Sequence, residues 1–278
     1  MIGFKLINSK KMHFISGLPR SGSTLLSAVL KQNPRFHADM SGPVAGLVGS
    51  LLSDLSGKNE FAPYIDDSKR NRIIQSVFNE FYADTDAEVV FDTSRAWCAR
   101  MSLIKTLYPK GKVIACVRHM PWIIDSIEQL VQRNVFQPSS IFNYLTGGTV
   151  YSRADCVAGS DGMVGYAYNA LKEAFFGGNA TNRLLLLQYE TLTSDPEKAL
   201  HAIYDFIGEP YFKHDFNHIN FDATAFDKKA GTPGLHTVRS KIDTNQRTTI
   251  LPPDVFKRFE NDAFWKDATL NRNNVPII

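Results

Sequence analysis

Gly17-Leu18-Pro19-Arg20-Ser21-Gly22-Ser23-Thr24 carries the residue types of a loop that wraps an anion. Glycines let backbone N–H groups approach oxygens closely, Arg20 supplies fixed positive charge, and Ser21, Ser23 and Thr24 supply hydroxyls. A nucleoside-triphosphatase loop of this frame would place lysine after Gly22, reaching the outer phosphates, and here that position is Ser23. The cation lies inside the loop instead, so an anion is expected but not ordinary ATPase chemistry. A second cation and hydroxyl, Arg118 and Ser126, stand eight residues apart. Proton acceptors are the third requirement of group transfer, and His37, Asp39 and Asp92 are the candidates.

These residues need elements to hold them. Met12–Ser16 is a short apolar run before the loop, and Leu25–Leu30 reads as a helix after it, which is the strand, loop, helix order of a phosphate site. Further strands are expected at Glu88–Asp92, Lys112–Val117 and Arg183–Gln188. The second leads through Thr93-Ser94-Arg95 into a helix ending about Leu107, and the third leads into a helix from Pro121 to Arg133. Continuous apolar strands alternating with helices predict an α/β fold, a parallel sheet covered by helices on both faces. Ser194 and Glu197 have capping-box spacing at the start of a helix that Gly208 stops.

The 278 residues suit a single domain with insertions. Residues 41–83 read as a helical insertion, 134–162 as an irregular segment rich in Gly, Ser and Thr that suits an acceptor pocket, and 211–250 as a lid. The formal charge of +3 is too small to imply a surface for a nucleic-acid polymer, and none is expected as a partner. No apolar run reaches membrane-spanning length, and the first residues do not read as a secretory signal. Cys98, Cys116 and Cys156 fit neither a disulfide framework nor a metal motif, so a cytoplasmic protein without a metal is expected. A homodimer is compatible with such a chain, but no interface is legible.

The loop and the second site together resemble the sulfotransferases that use 3′-phosphoadenosine-5′-phosphosulfate. Leu18-Pro19-Arg20-Ser21-Gly22-Ser23-Thr24-Leu25-Leu26 matches their 5′-phosphosulfate loop, and Val117-Arg118 with Ser126 matches the signature that holds the 3′-phosphate. Arginine rather than lysine at position 20 looks more like the tyrosyl-protein branch and its bacterial relatives. Tyr189-Glu190-Thr191-Leu192 resembles a later family segment, which implies contact between Tyr189 and the adenine. Arg239 and Lys241 fall where relatives bring basic residues over the donor. The resemblance implies a P-loop-like fold, sulfuryl transfer to a hydroxyl, release of adenosine 3′,5′-bisphosphate, and Arg20 stabilising charge on the leaving oxygen.

The base is less defined. Tyrosyl-protein members place a glutamate where this chain has Met40 or Ser41, a departure that favours a small hydroxylated acceptor over a protein. Asp92, at a strand end, ranks above His37 as proton acceptor. Two other readings stay open: a scaffold that binds the donor without catalysis, and a P-loop kinase for small molecules, against which the missing lysine counts.

Overall fold

The computed structural model describes residues 10–57, 60, 62–136, 148–244 and 248–278. In chain order the elements are β1 (Lys11–Gly17), α1 (Ser23–Leu30), β2 (Phe36–Ala38), α2 (Val44–Leu55), α3 (Asp67–Phe81), β3 (Val89–Thr93), α4 (Met101–Leu107), β4 (Val113–Val117), α5 (Met120–Arg133), α6 (Val150–Ala158), α7 (Met163–Phe176), β5 (Leu184–Gln188), α8 (Tyr189–Ser194), α9 (Pro196–Ile207), α10 (Thr224–Lys229) and α11 (Pro253–Arg258). A 3₁₀ turn, Arg95–Arg100, joins β3 to α4.

All five strands are parallel, in the order β2-β3-β1-β4-β5. Successive side chains of a strand point to opposite faces. Phe14, Val90, Val113, Ala115, Val117, Leu184 and Leu186 therefore join one core, with helices α2, α3, α4, α5 and α7. Ile15, Val89, Phe91, Ile114, Cys116, Leu185 and Leu187 join the other, under α1 and α9. Burial on both faces explains why the strands read as unbroken apolar runs rather than alternating ones.

After β1 the chain runs through α1 to the β2 edge, while after β4 it runs the opposite way to β5. Strands β1 and β4 are neighbours, so the reversal leaves a crevice between their C-terminal ends, where ligands of such sheets collect. The crevice is tight at its floor. Gly17 has φ +100°, and a Cβ there would lie 2.2 Å from the Cys116 carbonyl oxygen.

Several sequence expectations change. Strand β2 was not anticipated, because three residues of which the middle one is His37 leave too short a pattern. Asp195, not Ser194, caps α9, accepting from the Lys198 N–H at 3.1 Å, while Gly208 ends that helix in the left-handed conformation as expected. The expected irregular segment 134–162 contains helix α6, whose Ala154 and Val157 are buried; residues 137–147 lie outside the described part. Within 41–83 the helices are α2 and α3.

Asp92 is corrected from proton acceptor to core residue. Its side chain is fully buried, Oδ2 accepts from the Tyr82 hydroxyl at 2.6 Å and Oδ1 from Trp97 Nε1 at 2.6 Å. Burial holds its pKa above the usual carboxylate range, but both oxygens are committed and none faces an acceptor. His37 also falls away from the crevice. It pairs in register with Val90, which pairs with Met12, five residues before Gly17. That places it about 16 Å below the strand ends and about 10 Å to one side of β1, given the rise and spacing of strands. Half-buried against the Tyr82 ring, it has its pKa lowered by desolvation.

Two outcomes follow from this packing. Gly17→Ala must lose about 2 kcal/mol or more of stability through positive φ and a backbone collision, read as a lower urea midpoint at unchanged slope. Asp92→Asn keeps an acceptor for Trp97 and leaves turnover within about threefold of the parent; a loss of a hundredfold or more, the scale of a lost base, would restore Asp92 to the chemistry.

Candidate functional site

The loop after β1 is held from below. The Leu18 N–H donates to the Cys116 carbonyl at 2.9 Å, and the buried Ser21 hydroxyl reaches the same oxygen at 2.9 Å and the Leu18 carbonyl at 2.5 Å. Ser21 thus spends its side chain on the loop's own shape, leaving its backbone N–H as its contribution to an anion. Arg20 has φ +58° and Gly22 φ +96°, with Ser21 between them at negative φ. Alternation of this kind turns successive N–H groups toward one concavity. A left-handed arginine costs on the order of 1–2 kcal/mol, so the loop conformation is imposed by its surroundings. Ser23 and Thr24 are half-buried at the start of α1, whose N-terminal dipole favours negative charge.

The second pair of residues meets the first directly. Arg20 Nε donates to Ser126 Oγ at 3.1 Å, although the two stand 106 positions apart. Helix α5 makes this contact because Pro121 starts it immediately beyond β4, and Ser126 follows within its second turn. Arg118, in the short link between β4 and α5, donates from Nη1 to the Arg20 carbonyl at 3.2 Å. Its guanidinium lies 4.1 Å from the centre of the Tyr189 ring. The same ring abuts the loop: a Cβ on Gly22 would sit 2.8 Å from Tyr189 Cδ2. Arg20, Arg118, Ser126 and Tyr189 therefore share one place, at the ends of β1, β4 and β5, and Pro19 is buried beneath it.

A late segment closes over the loop. Arg20 Nη1 donates to the Leu235 carbonyl, and Asn134 Nδ2 donates to the Pro233 carbonyl at 3.2 Å. Next in the chain, His236 is clamped by Asp227 of α10, whose Oδ2 accepts the His236 backbone N–H at 2.8 Å and whose Oδ1 meets His236 Nδ1 at 2.6 Å. Farther on, buried Asp125 of α5 accepts from Thr249 Oγ1 and the Ile250 N–H, both at 2.8 Å. The Gly231-Thr232-Pro233-Gly234 turn and the histidines of 211–250 mark this segment in the sequence, but its partners in α5 and the loop could not be read there.

Other expected residues stand outside this group. Arg239 and Lys241 are exposed, beyond His236. Ser94 accepts from the Ala96 N–H and so caps the turn after β3, with Arg95 exposed beside it. Burial pushes the Cys116 thiol up to about 12 and that of Cys98 up to about 11, which keeps both protonated at neutral pH. Among the described residues no group of three or more His, Cys, Asp or Glu side chains is arranged to hold a metal ion.

Three kinds of comparison agree with this architecture. A Caenorhabditis briggsae protein named "Putative protein-tyrosine sulfotransferase" is 22% identical over 254 residues, covering 88% of this chain and 82% of its own. The sulfotransferase domain from the curacin biosynthetic pathway superposes with a TM-score of 0.56 at 15% identity, covering 90% of this chain and 95% of its own. A sulfotransferase from Alicyclobacillus acidocaldarius gives a TM-score of 0.51 at 13% identity over 80% of this chain and 92% of its own. At such identities the structural likeness speaks for the fold alone. The sulfotransferase family model matches residues 13–213, from inside β1 to just past α9, and so takes in the loop, Arg118, Ser126 and Tyr189. With that match spanning most of its length, the chain belongs to the sulfotransferase family.

Proposed function

We propose that this protein transfers the sulfuryl group of 3′-phosphoadenosine-5′-phosphosulfate to a hydroxyl of a small molecule, releasing adenosine 3′,5′-bisphosphate. The observation that carries this reading is the direct meeting of Arg20 with Ser126 and Arg118. Two cations and a hydroxyl gathered at neighbouring strand ends suit a ligand with more than one anionic group. A donor with phosphates at both ends of a nucleoside is such a ligand.

In this reading the loop N–H groups with Ser23 and Thr24 hold the 5′-phosphosulfate, Arg118 and Ser126 hold the 3′-phosphate, and the Tyr189 ring borders the nucleoside. Arg20 bonds the neutral oxygens of Ser126 and Leu235. A phosphosulfate offers it stronger charge-assisted bonds, and negative charge building on the bridging oxygen as sulfur departs strengthens them further. Arg239 and Lys241, both exposed on the late segment, would add positive charge over the donor. Positioning of acceptor and sulfur supplies much of the remaining rate, and no step calls for a metal.

The acceptor remains the open choice between a small hydroxylated molecule and a peptide tyrosine, which the Caenorhabditis relative's name raises. Met40 and Ser41, in the link between β2 and α2, offer no carboxylate, and this favours the small molecule. A mixed panel of alcohols, phenols, sugars and tyrosyl peptides, with product mass as readout, decides it. Sulfation confined to peptides would overturn that half of the proposal, and a phosphate mass gain from ATP would overturn both halves.

Two substitutions address the donor. Arg118→Ala should weaken binding of adenosine 3′,5′-bisphosphate about 10- to 100-fold by calorimetry and leave adenosine 5′-phosphate binding nearly unchanged. Equal losses for the two nucleotides would take Arg118 off the 3′-phosphate. Arg20→Ala should lower kcat about 10²- to 10³-fold while cooperative unfolding persists; unchanged turnover would remove Arg20 from the transfer step.

A further inference from the structure

We infer that His236, oriented by Asp227, is the proton acceptor for the transfer, an inference that rests on the sulfuryl-transfer reading above. Of the expected bases, Asp92 is sealed in the core, His37 lies far below the strand ends, and Asp39 Oδ1 accepts the Met40 N–H at 2.8 Å. The late segment supplies one. His236 directly follows Leu235, whose carbonyl is bonded by Arg20, so the imidazole is placed one residue from a group that the transfer-site cation touches. Hydrogen bonds brace this position. Asn134 fixes the Pro233 carbonyl, the Thr232 N–H donates to the Asp227 carbonyl at 2.9 Å, and the Leu235 N–H donates to the Thr232 carbonyl at 3.2 Å. Leu235 itself packs on the core beneath α5.

The ring is prepared for one task. Asp227 is 3% exposed and His236 15% exposed at the side chain, and Asp227 grips both the ring and the backbone of His236. A carboxylate can only accept, so Nδ1 carries a proton, and in the neutral ring Nε2 presents its lone pair. The hydrogen bonds of His236 run from its backbone N–H and its Nδ1, both to Asp227. Phe226, packed edge to face at 5.7 Å, covers the ring from the side. The charged groups on the elements around it are Asp227, Lys228 and Lys229 of α10, Asp125, Glu128 and Arg133 of α5, Arg20 of the loop, and Arg239 and Lys241 farther along its own segment; it is Asp227 whose Oδ1 meets the ring. A histidine held by a buried carboxylate, with its far nitrogen open, is the arrangement by which a weak oxygen nucleophile is activated.

The step balances without a further reactant. The acceptor oxygen forms a bond to sulfur as its proton passes to His236 Nε2. The bond from sulfur to the bridging oxygen breaks, and its electron pair leaves on the 5′-phosphate, where Arg20 meets the charge. Asp227 stabilises the imidazolium until its proton returns to water. His236 is thus a catalytic residue and Asp227 a positioning residue.

The test uses the full chain, its His236→Gln and Asp227→Asn variants, and adenosine 3′,5′-bisphosphate as the probe. Calorimetry first establishes that the parent binds this nucleotide; no binding would remove the donor reading, and this proton transfer with it. Given binding, nitrogen NMR should show the imidazole resonances that vanish in His236→Gln shifting on saturation of the parent. Resonances that stay in place would overturn the placement of His236 while leaving the donor reading intact. Against the hydroxylated panel, His236→Gln should lose about 10²- to 10⁴-fold in kcat with nucleotide affinity unchanged, and should lose the acid limb of the pH profile. Asp227→Asn should fall between, with that limb displaced. Parental turnover and an unaltered pH profile in His236→Gln would refute the inference.

Discussion

The carbonyl of Cys116, at the end of β4, fixes everything that the site does. It accepts the Leu18 N–H and the Ser21 hydroxyl, so both limbs of the anion loop hang from one oxygen. Gly17 is the residue that lets them reach it, since any side chain there would occupy the carbonyl's own space. Two residues beyond that carbonyl stands Arg118, whose guanidinium returns to the Arg20 carbonyl. One peptide unit therefore sets the loop, and the residues that follow it deliver the second cation. The parallel pairing of β1 with β4 holds the two in register. A sheet whose connections reverse between these strands opens its crevice where they meet.

Much of this was legible because it is local. The strand, loop and helix around Arg20 lie within twenty residues, and the glycines that bend the loop are necessary for backbone reasons visible in any sequence. The four longer strands were legible as well, since burial on both faces leaves an unbroken apolar run. Strand β2 was not, because a three-residue edge strand with a half-buried histidine has no period to detect. The same limit applied to the start of α9. Ser194 and Asp195 both have capping chemistry, and only the turn ending α8 decides between them.

Side-chain roles were harder to read than elements because burial depends on distant residues. Asp92 stands at the end of a strand, where ligands collect, and its type suits a base. Tyr82 and Trp97 overrule that expectation by taking both oxygens inside the core. Arg20 illustrates the opposite case. Its position in the loop was plain, but its contact with Leu235, 215 residues away, was not. Nothing in the local sequence of Leu235 predicts that its carbonyl will face a guanidinium.

The buried carboxylates explain why such distant segments converge. Asp92, Asp125, Glu128 and Asp227 are all almost wholly buried, and an uncompensated charge there would cost several kcal/mol. Each is instead saturated by donors from elsewhere in the chain: Tyr82 and Trp97 for Asp92, Thr249 and Ile250 for Asp125, Arg153 for Glu128, His236 for Asp227. Removing any one partner leaves an acid unsatisfied, so each pairing resists local opening. Two of the four act on the late segment, fastening it to α5 at residues 249–250 and to α10 at His236. Leu235, whose carbonyl Arg20 captures, immediately precedes the His236 anchor. Asp125 and Asp227 thus hold the late segment, while Asp92, the one of the four that looked suited to catalysis, is spent on the core. An inventory of acids and histidines cannot reveal this, because the decisive quantity is which donors each carboxylate meets when the chain is folded.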